Sequence, residues 1–157
     1  MEIITIYTDG SSKGNPGPGG WSAIILYDEK IKEIGGREEK TTNNRMELMA
    51  AIKSLKVLPE NSQIEIHTDS EYLINGITKW IFDWQKNNWR TKAKKAVLNQ
   101  DLWEKLIAET RVRQVVWEKV LGHSGHKWNE RCDEIATTLA DGKKVLLYND
   151  SRKNYKI

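Results

Sequence analysis

The sequence predicts an α/β domain with five strands and several amphipathic helices. Three observations support this fold class: an alternating β-branched run opens the chain, apolar residues later recur at helical spacing, and another strand follows that first helix. At 157 residues the chain is long enough for one domain with its own core, and no linker or repeat divides it. We therefore expect a single domain over residues 1–142 and a basic, frayed tail over 143–157.

The first third of the chain is predicted to form a three-stranded antiparallel meander. An alternating run over 3–8 predicts a strand that ends at Asp9. The stretch 10–20 is rich in glycine and proline and is predicted to be a loop, but it lacks the Gly-Lys-Ser/Thr ending of a P-loop. Strand-like runs over 21–27 and 31–37 complete the meander.

A helix and a fourth strand come next. Apolar residues at helical spacing predict a helix that ends at Pro59: Leu48, Ala51, Ile52, Leu55 and Leu58. The strand over 64–68 is followed by Asp69, as the first strand is followed by Asp9. Because a strand, a helix and a strand in succession favour a right-handed parallel crossover, the two strands should be neighbours. Adjacent strands lie ~5 Å apart, so we expect Asp9 and Asp69 within reach of each other.

The second half of the chain is predicted to contain three helices and a fifth strand. Helices are expected from Ser70, over 101–110 and after the loop 122–125, and a strand over 115–117. The segment 86–95 interrupts this pattern, because it has five basic residues, no acid and too few apolar residues for a core.

Composition narrows the classes of protein only modestly. The net charge is +3, which by itself names no partner. Cys132 is the only cysteine, so an intramolecular disulfide is impossible and a reducing, cytoplasmic location is expected. No targeting segment or membrane-length apolar run is present, and we expect no membrane association. The histidines and the cysteine form no zinc-like cluster.

Four acids are candidate metal ligands because of their positions. Asp9 and Asp69 follow predicted parallel strands, where open α/β sheets bind their ligands. Glu47 and Asp133 lie at the margins of apolar helix faces. Carboxylates gathered at one site repel each other unless a proton or a divalent cation intervenes, and oxygen ligands suit Mg²⁺ or Mn²⁺.

Each candidate also has a purely structural interpretation. Glu47 could complete a capping box with Asn44, and Asp69 could cap the next helix. Asp9 could stabilise its turn, and Asp133 could be a partly exposed helix residue. His123 lies between glycines in a loop, where it is either a proton-transfer group for a nearby site or merely solvated.

Tryptophans beside the basic segment suggest a nucleic-acid surface. Trp80, Trp84 and Trp89 accompany the cations, and aromatic rings interleaved with positive charge suit a surface that follows a phosphate backbone. The alternative is that the rings belong to the core and that the basic segment is a solvated loop. For Trp80 and Trp84 we expect both roles along one helix. The other four tryptophans are expected in the core: Trp21, Trp103, Trp117 and Trp128.

Five motifs in order resemble the bacterial-type ribonucleases HI, the type 1 ribonuclease H family. They are Tyr7–Ser11, Asn43–Leu48, His67–Ser70, Gly122–His126 and Asn129–Asp133. The likeness extends from Ile3 to about Ala140. It implies a mixed five-stranded sheet flanked by helices. It also implies endonucleolytic hydrolysis of RNA in an RNA-DNA hybrid, with 5′-phosphate and 3′-hydroxyl products.

The resemblance also implies the catalytic groups and the cofactor. By motif position, two Mg²⁺ ions are held by Asp9, Glu47, Asp69 and Asp133, with Mn²⁺ as a possible substitute. His123 is implied to assist proton transfer or product departure. Two ions suit this chemistry, since one activates the attacking water and the other stabilises the leaving oxygen. We expect a monomer that needs no organic cofactor.

Substrate-binding residues follow from the same resemblance. Contacts with 2′-hydroxyls and bases in the minor groove are implied for Asn15, Asn43, Asn44 and Glu71. Trp80 corresponds to a residue that packs on a DNA sugar, and Thr42 with Asn99 to a pocket for a DNA phosphate. The basic segment corresponds to a protrusion that grips the duplex, with Trp84, Lys86, Trp89, Arg90, Lys92, Lys94 and Lys95 as its contacts.

Two departures from the family pattern concern the substrate. Glu71 occupies a position where similar enzymes have a glutamine, so an anion that can only accept hydrogen bonds replaces an amide that can donate them. Asp83 adds a second anion to the predicted substrate-binding helix. The change at Glu71 is expected to weaken or redirect a minor-groove contact, and the added anion at Asp83 is expected to lower affinity.

Two other functions remain open at this stage. A catalytically silent hybrid-binding module would use the same fold without cleaving, although a pure binder gains nothing from carboxylates that face phosphates. A relative that acts on DNA, such as a transposase or integrase domain, usually offers three acids and lacks the basic protrusion.

Overall fold

The computed structural model describes residues 2–121 and 126–156 and contains one mixed sheet with helices on both faces. The strands are β1 Ile3–Ser12, β2 Gly17–Tyr27, β3 Lys30–Thr41, β4 Gln63–Thr68, β5 Gln114–Lys119 and β6 Asn149–Ser151. The helices are α1 Asn43–Lys56, α2 Glu71–Asn75, α3 Ile81–Lys86, α4 Gln100–Arg111 and α5 Lys127–Ala140, with a π-helical segment Gly76–Trp80 between α2 and α3.

The order of strands across the sheet is β5-β4-β1-β2-β3-β6. β1 pairs in parallel with β4, and β4 in parallel with β5, while the other pairs are antiparallel. The predicted α/β class, the meander and the parallel crossover are therefore confirmed. The predicted number of five strands is wrong, because the described part of the chain contributes six.

Two of the hydrophobic clusters formed by the described residues lie on opposite faces of the sheet, since consecutive strand residues point in opposite directions. On one face Ile25 packs in the main core, whose members come mostly from β1, β4, α1 and α4. On the other face Ile24 packs with Trp128 and Cys132 of α5. As expected, Trp21, Trp103 and Trp128 are buried, and Trp117 is partly buried against the main core.

The glycine-rich stretch 10–20 is mostly strand, which corrects the predicted loop. β1 continues to Ser12 and β2 begins at Gly17, so only 13–16 forms the turn. A Cβ on Gly10 would lie 2.4 Å from the backbone nitrogen of Glu47 in α1, and a Cβ on Gly20 would lie 2.2 Å from the Ala136 carbonyl oxygen in α5. These glycines therefore allow both helices to pack directly on the sheet.

The C-terminal tail is not frayed, contrary to our prediction. Its strand β6 pairs with β3. The buried Glu33 carboxylate of β3 binds this segment by accepting hydrogen bonds from the Tyr148 backbone N–H at 2.9 Å and from the Tyr155 hydroxyl. Arg131 of α5 adds an ion pair to Glu33, with its Nε 2.8 Å from Oε2. A buried carboxylate with several donors thus attaches the tail to the domain.

None of the helices in the described ranges is long and apolar enough to cross a membrane.

Candidate active site

Two parallel strands bring Asp9 and Asp69 together. The register aligns Tyr7 with His67, so each aspartate lies two residues beyond a paired position. Asp9 is 6% exposed, whereas Asp69 is partly exposed. The expectation that the two carboxylates lie within reach of each other is met, because one oxygen from each belongs to a group whose members all lie within 4.8 Å of one another.

Glu47 of α1 completes this group of three carboxylates. The Gly10 backbone N–H donates to Asp9 Oδ1 and to Glu47 Oε1, both at 2.9 Å. A single glycine therefore fixes the carboxylate of its own strand and the carboxylate of the helix that crosses above it.

Both capping interpretations are wrong. Thr42 caps α1, with its Oγ1 accepting from the Arg45 backbone N–H at 3.2 Å, and Glu47 turns toward β1 instead. Ser70 caps α2, with its Oγ accepting from the Leu73 N–H at 3.1 Å. Neither Glu47 nor Asp69 therefore serves to begin its helix.

Burial and mutual repulsion dominate the electrostatics of the site. Burial, followed by the charges of Asp69 and Asp133, raises the pKa of Asp9 to about 7 against an opposing effect of hydrogen bonds. Burial, followed by the charge of Asp9, raises the pKa of Glu47 well above its ordinary value. Glu47 Oε2 is buried without a hydrogen-bond partner among the described residues. A divalent cation would relieve both the repulsion and this unmet acceptor.

The three carboxylates line an open cleft of about 430 Å³. Asp133 of α5 is exposed and lines the same cleft, but it is outside the group of oxygens within 4.8 Å. The lining residues are Asp9, Gly10, Ser11, Asn43, Asn44, Glu47, Asp69, Ser70, Glu71, Tyr72 and Asp133. The structure thus gathers all four predicted acids at one cleft, while His123 lies outside the described residues.

The predicted minor-groove residues divide into two groups. Asn43, Asn44 and Glu71 line the cleft beside the acids. Asn43 also supports β1, since its Oδ1 accepts from the Ser12 N–H at 2.6 Å. Asn15 is exposed in the turn 13–16 and is not part of the cleft lining.

Thr42 and Asn99, predicted to hold a DNA phosphate, meet at one arginine. Thr42 accepts from the Arg45 backbone, and Arg45 Nη1 donates to Asn99 Oδ1 at 3.2 Å. Asp101 pairs with the same guanidinium, with its Oδ2 2.8 Å from Nη2. Arg45 therefore links Thr42 with Asn99, although 57 positions separate these two residues in the chain.

The basic segment 86–95 is exposed, but two of its accompanying tryptophans pack inward. Trp80 is 38% exposed, and Trp84 and Trp89 are partly buried against the main core. The Trp84 ring lies 5.6 Å from that of Trp103 and 6.1 Å from that of Trp89. All five predicted cations of the segment are exposed: Lys86, Arg90, Lys92, Lys94 and Lys95.

Three residues that shape the cleft were not identified from the sequence. Gly10 orients two carboxylates, and its only local signal in the sequence is its place directly after Asp9. Tyr72 lines the cleft, and its hydroxyl accepts from Asn99 Nδ2 at 3.0 Å. Lys119 donates to the Glu71 carboxylate, a contact across 48 positions that no local pattern reveals.

Comparison with known sequences identifies one family. A family model described as RNase H matches residues 1–141. A curated relative named Ribonuclease H from Novosphingobium aromaticivorans is 51% identical over 140 residues, which are 89% of this chain and 98% of the relative. Another from Alcanivorax borkumensis is 50% identical over 144 residues, 92% of this chain and 95% of the relative.

Solved structures show the same fold. LC9-RNase H1, described as a type 1 RNase H with the type 2 active-site motif, matches with a TM-score of 0.83 and 28% identity, covering 96% of this chain and 79% of that one. LC11-RNase H1, solved in complex with an RNA/DNA hybrid, matches with a TM-score of 0.66 and 23% identity, covering 88% of this chain and 97% of that one.

Proposed function

Because this chain belongs to the ribonuclease H family, we propose that it hydrolyses the RNA strand of RNA-DNA hybrids as a metal-dependent endonuclease. The observation that carries the proposal is the cluster of Asp9, Glu47 and Asp69, which lies just beyond the last parallel pair of β1 and β4, Tyr7 with His67. The products are expected to carry 5′-phosphate and 3′-hydroxyl ends.

The donor set suits Mg²⁺. Asp9, Glu47 and Asp69 offer only oxygen, and one buried oxygen of Glu47 has no partner among the described residues. Hard oxygen ligands favour Mg²⁺ over zinc and allow Mn²⁺ as a substitute. We propose that two Mg²⁺ ions bind here and that Asp133 joins the other three acids as a ligand.

The chemistry that bound divalent ions supply is activation of a water and stabilisation of negative charge on the leaving oxygen. The chain itself supplies position. The Gly10 N–H holds the carboxylates of Asp9 and Glu47, and the parallel register places Asp69 beside them. For His123 we propose, on the motif resemblance, transfer of a proton at the leaving 3′ oxygen.

Selection for a hybrid is proposed to come from the polar rim of the cleft. Asn43 and Asn44 lie beside the acids, where amide groups can bond to the 2′-hydroxyls that distinguish RNA from DNA. The exposed cations of 86–95 would contact backbone phosphates and give binding that weakens with salt. Thr42 and Asn99 are proposed to contact one phosphate of the DNA strand.

Three further expectations accompany this function. We propose that the protein acts as a monomer in the cytoplasm without an organic cofactor. The buried, unpaired Cys132 is consistent with a reducing compartment.

A cleavage panel tests the proposal. One labelled sequence is presented as RNA-DNA hybrid, RNA duplex, single-stranded RNA and DNA duplex, each with Mg²⁺ and with EDTA. The expected result is cutting of the RNA strand in the hybrid alone, and only with metal. Tight hybrid binding without cutting in Mg²⁺ or Mn²⁺ would instead indicate a binding module, and cutting of DNA alone would indicate a DNA-processing enzyme.

A further inference from the structure

The cleft contains one carboxylate more than the proposed metal site uses. Among the described residues its lining includes five acids and no lysine or arginine, the acids being Asp9, Glu47, Asp69, Glu71 and Asp133. Glu71 has a side chain that is 71% exposed. A nucleic acid that enters the cleft would therefore face the Glu71 carboxylate, which is not one of the proposed metal ligands.

Lys119, at the end of β5, pairs with the Glu71 carboxylate. Its Nζ donates to Glu71 Oε1 and forms an ion pair with it. The sheet fixes its position, because Lys119 pairs with Thr68 and the next N–H, of Val120, donates to the Thr68 carbonyl at 2.8 Å. Thr68 directly precedes Asp69, so the backbone of Lys119 is held beside the cleft.

We propose that Lys119 sets the affinity for the hybrid by neutralising Glu71. This inference rests on the proposed function. An unpaired carboxylate at the rim would repel the phosphates of a bound duplex, whereas a paired one presents little net charge beyond the first few ångströms. Glu71 therefore remains compatible with a nucleic-acid substrate only while Lys119 accompanies it, and Lys119 acts through Glu71 as a positioning residue.

The pair is well suited to substitution. Both side chains are substantially exposed, 39% for Lys119 and 71% for Glu71, and exposed ion pairs contribute little to folding. Replacing either residue should leave the thermal unfolding midpoint unchanged. Lys119 is neither a proposed metal ligand nor part of the cleft lining, so its replacement should also preserve saturated turnover.

A double-mutant cycle provides the test, with wild type, Lys119→Ala, Glu71→Gln and the double variant. Hybrid cleavage is measured over a range of substrate and salt concentrations, and KM and kcat are separated. Arg37→Ala is the control, because it removes one cation from an exposed ion pair on β3 outside the cleft lining. Wild-type cleavage of the hybrid is the prerequisite, so failure of the proposed function is seen first and separately.

Lys119→Ala is expected to raise KM about fivefold without changing kcat, the effect of one unit charge near a phosphate in a water-like dielectric. Glu71→Gln alone is expected to lower KM and to steepen the salt dependence by about one unit of log-log slope, because the freed ammonium can then bind a phosphate. The double variant should return to within about twofold of the wild-type KM, because the anion and its partner are removed together.

Two results would overturn the inference. In the first, Lys119→Ala leaves KM at the value of the wild type and of Arg37→Ala. In the second, the double variant binds as weakly as Lys119→Ala, which would mean that Lys119 acts without Glu71.

Discussion

Replacing Gly10 by alanine should disrupt the carboxylate cluster from its centre. The added Cβ would lie 2.4 Å from the Glu47 backbone nitrogen and 2.5 Å from the Met46 carbonyl carbon. Both atoms are backbone of α1, so no side chain can rotate away. The helix and the strand must separate, and the Gly10 N–H can no longer bond to both Asp9 and Glu47 at 2.9 Å.

The size of the effect follows from the geometry. An ordinary contact begins near 3.4 Å, so the backbone must move by about 1 Å. Overpacking of this kind typically costs about 1–3 kcal/mol of the free energy of unfolding. A displacement of about 1 Å in a positioned catalytic group can reduce turnover on the order of 100-fold. We also expect Gly10→Ala to require more Mg²⁺ for half-maximal activity.

Gly76→Ala is the matched control. Its Cβ would lie 2.0 Å from the Trp103 ring in the main core, and neither Gly76 nor Trp103 lines the cleft of the carboxylates. Urea unfolding and Mg²⁺ activation curves are measured for both variants. Gly76→Ala should lose stability and keep the wild-type Mg²⁺ requirement. The reasoning is refuted if Gly10→Ala loses stability to a similar extent but keeps the wild-type turnover and Mg²⁺ requirement.

Three other predictions concern binding and stability. Replacing Lys92, Lys94 and Lys95 by alanine should weaken hybrid binding and lower its log-log salt slope by up to about 3, with little change in saturated turnover; an unchanged slope would count against phosphate contacts there. Burial alone would raise the pKa of Glu33, but hydrogen bonds from Arg131 and the tail outweigh burial and lower this pKa below its ordinary value of 4.5. The ionised carboxylate therefore stabilises the fold above pH 4.5, and this contribution is lost as the pH falls below that value. Glu33→Gln should therefore cost on the order of 3 kcal/mol at pH 7 and clearly less in acid, as measured by urea unfolding across pH; an equal loss at every pH would contradict this. The pKa of Asp9 is raised from 3.8 to about 7, so the metal-free fold loses stability as pH rises through that interval. In EDTA at pH 8, Asp9→Asn should unfold at a higher temperature than wild type, and a lower midpoint would oppose this assignment.

The parts of the fold predicted correctly depend on local pattern and chain order. Alternation identified β1, and helical spacing identified α1. The right-handed crossover then placed Asp9 next to Asp69. Each inference used residues close in sequence or a rule of chain topology, which is why it succeeded without knowledge of packing.

The glycine-rich stretch was misread because glycine has two structural uses. We took the glycines of 10–20 as sites of turn geometry, but Gly10 and Gly20 are strand residues beneath helices. Only the packing of α1 and α5, more than 20 positions downstream of these glycines, distinguishes close approach from a turn. A single sequence contains no local sign of that distinction.

The tail and the rim of the cleft depend on contacts between distant residues. Tyr155 reaches Glu33 across 122 positions, and its segment lacks a periodic pattern. Lys119 reaches Glu71 across 48 positions. The departure at Glu71 was visible in the sequence, but the lysine that pairs with it became apparent only when β5 was placed beside β4.

The central claim is that the carboxylate cluster performs metal-dependent cleavage of a hybrid, and Asp69→Asn tests it most directly. Single-turnover cleavage of a labelled RNA-DNA hybrid is measured in Mg²⁺ for wild type, Asp69→Asn and the control Glu60→Gln, whose exposed acid lies outside the cleft. The substitution at Asp69 is nearly isosteric, so thermal unfolding and hybrid binding should persist while cleavage falls by on the order of 1,000-fold or more. Cleavage by Asp69→Asn within about tenfold of wild type would contradict the account, since a residue that holds the catalytic metal cannot lose its charge at so small a cost.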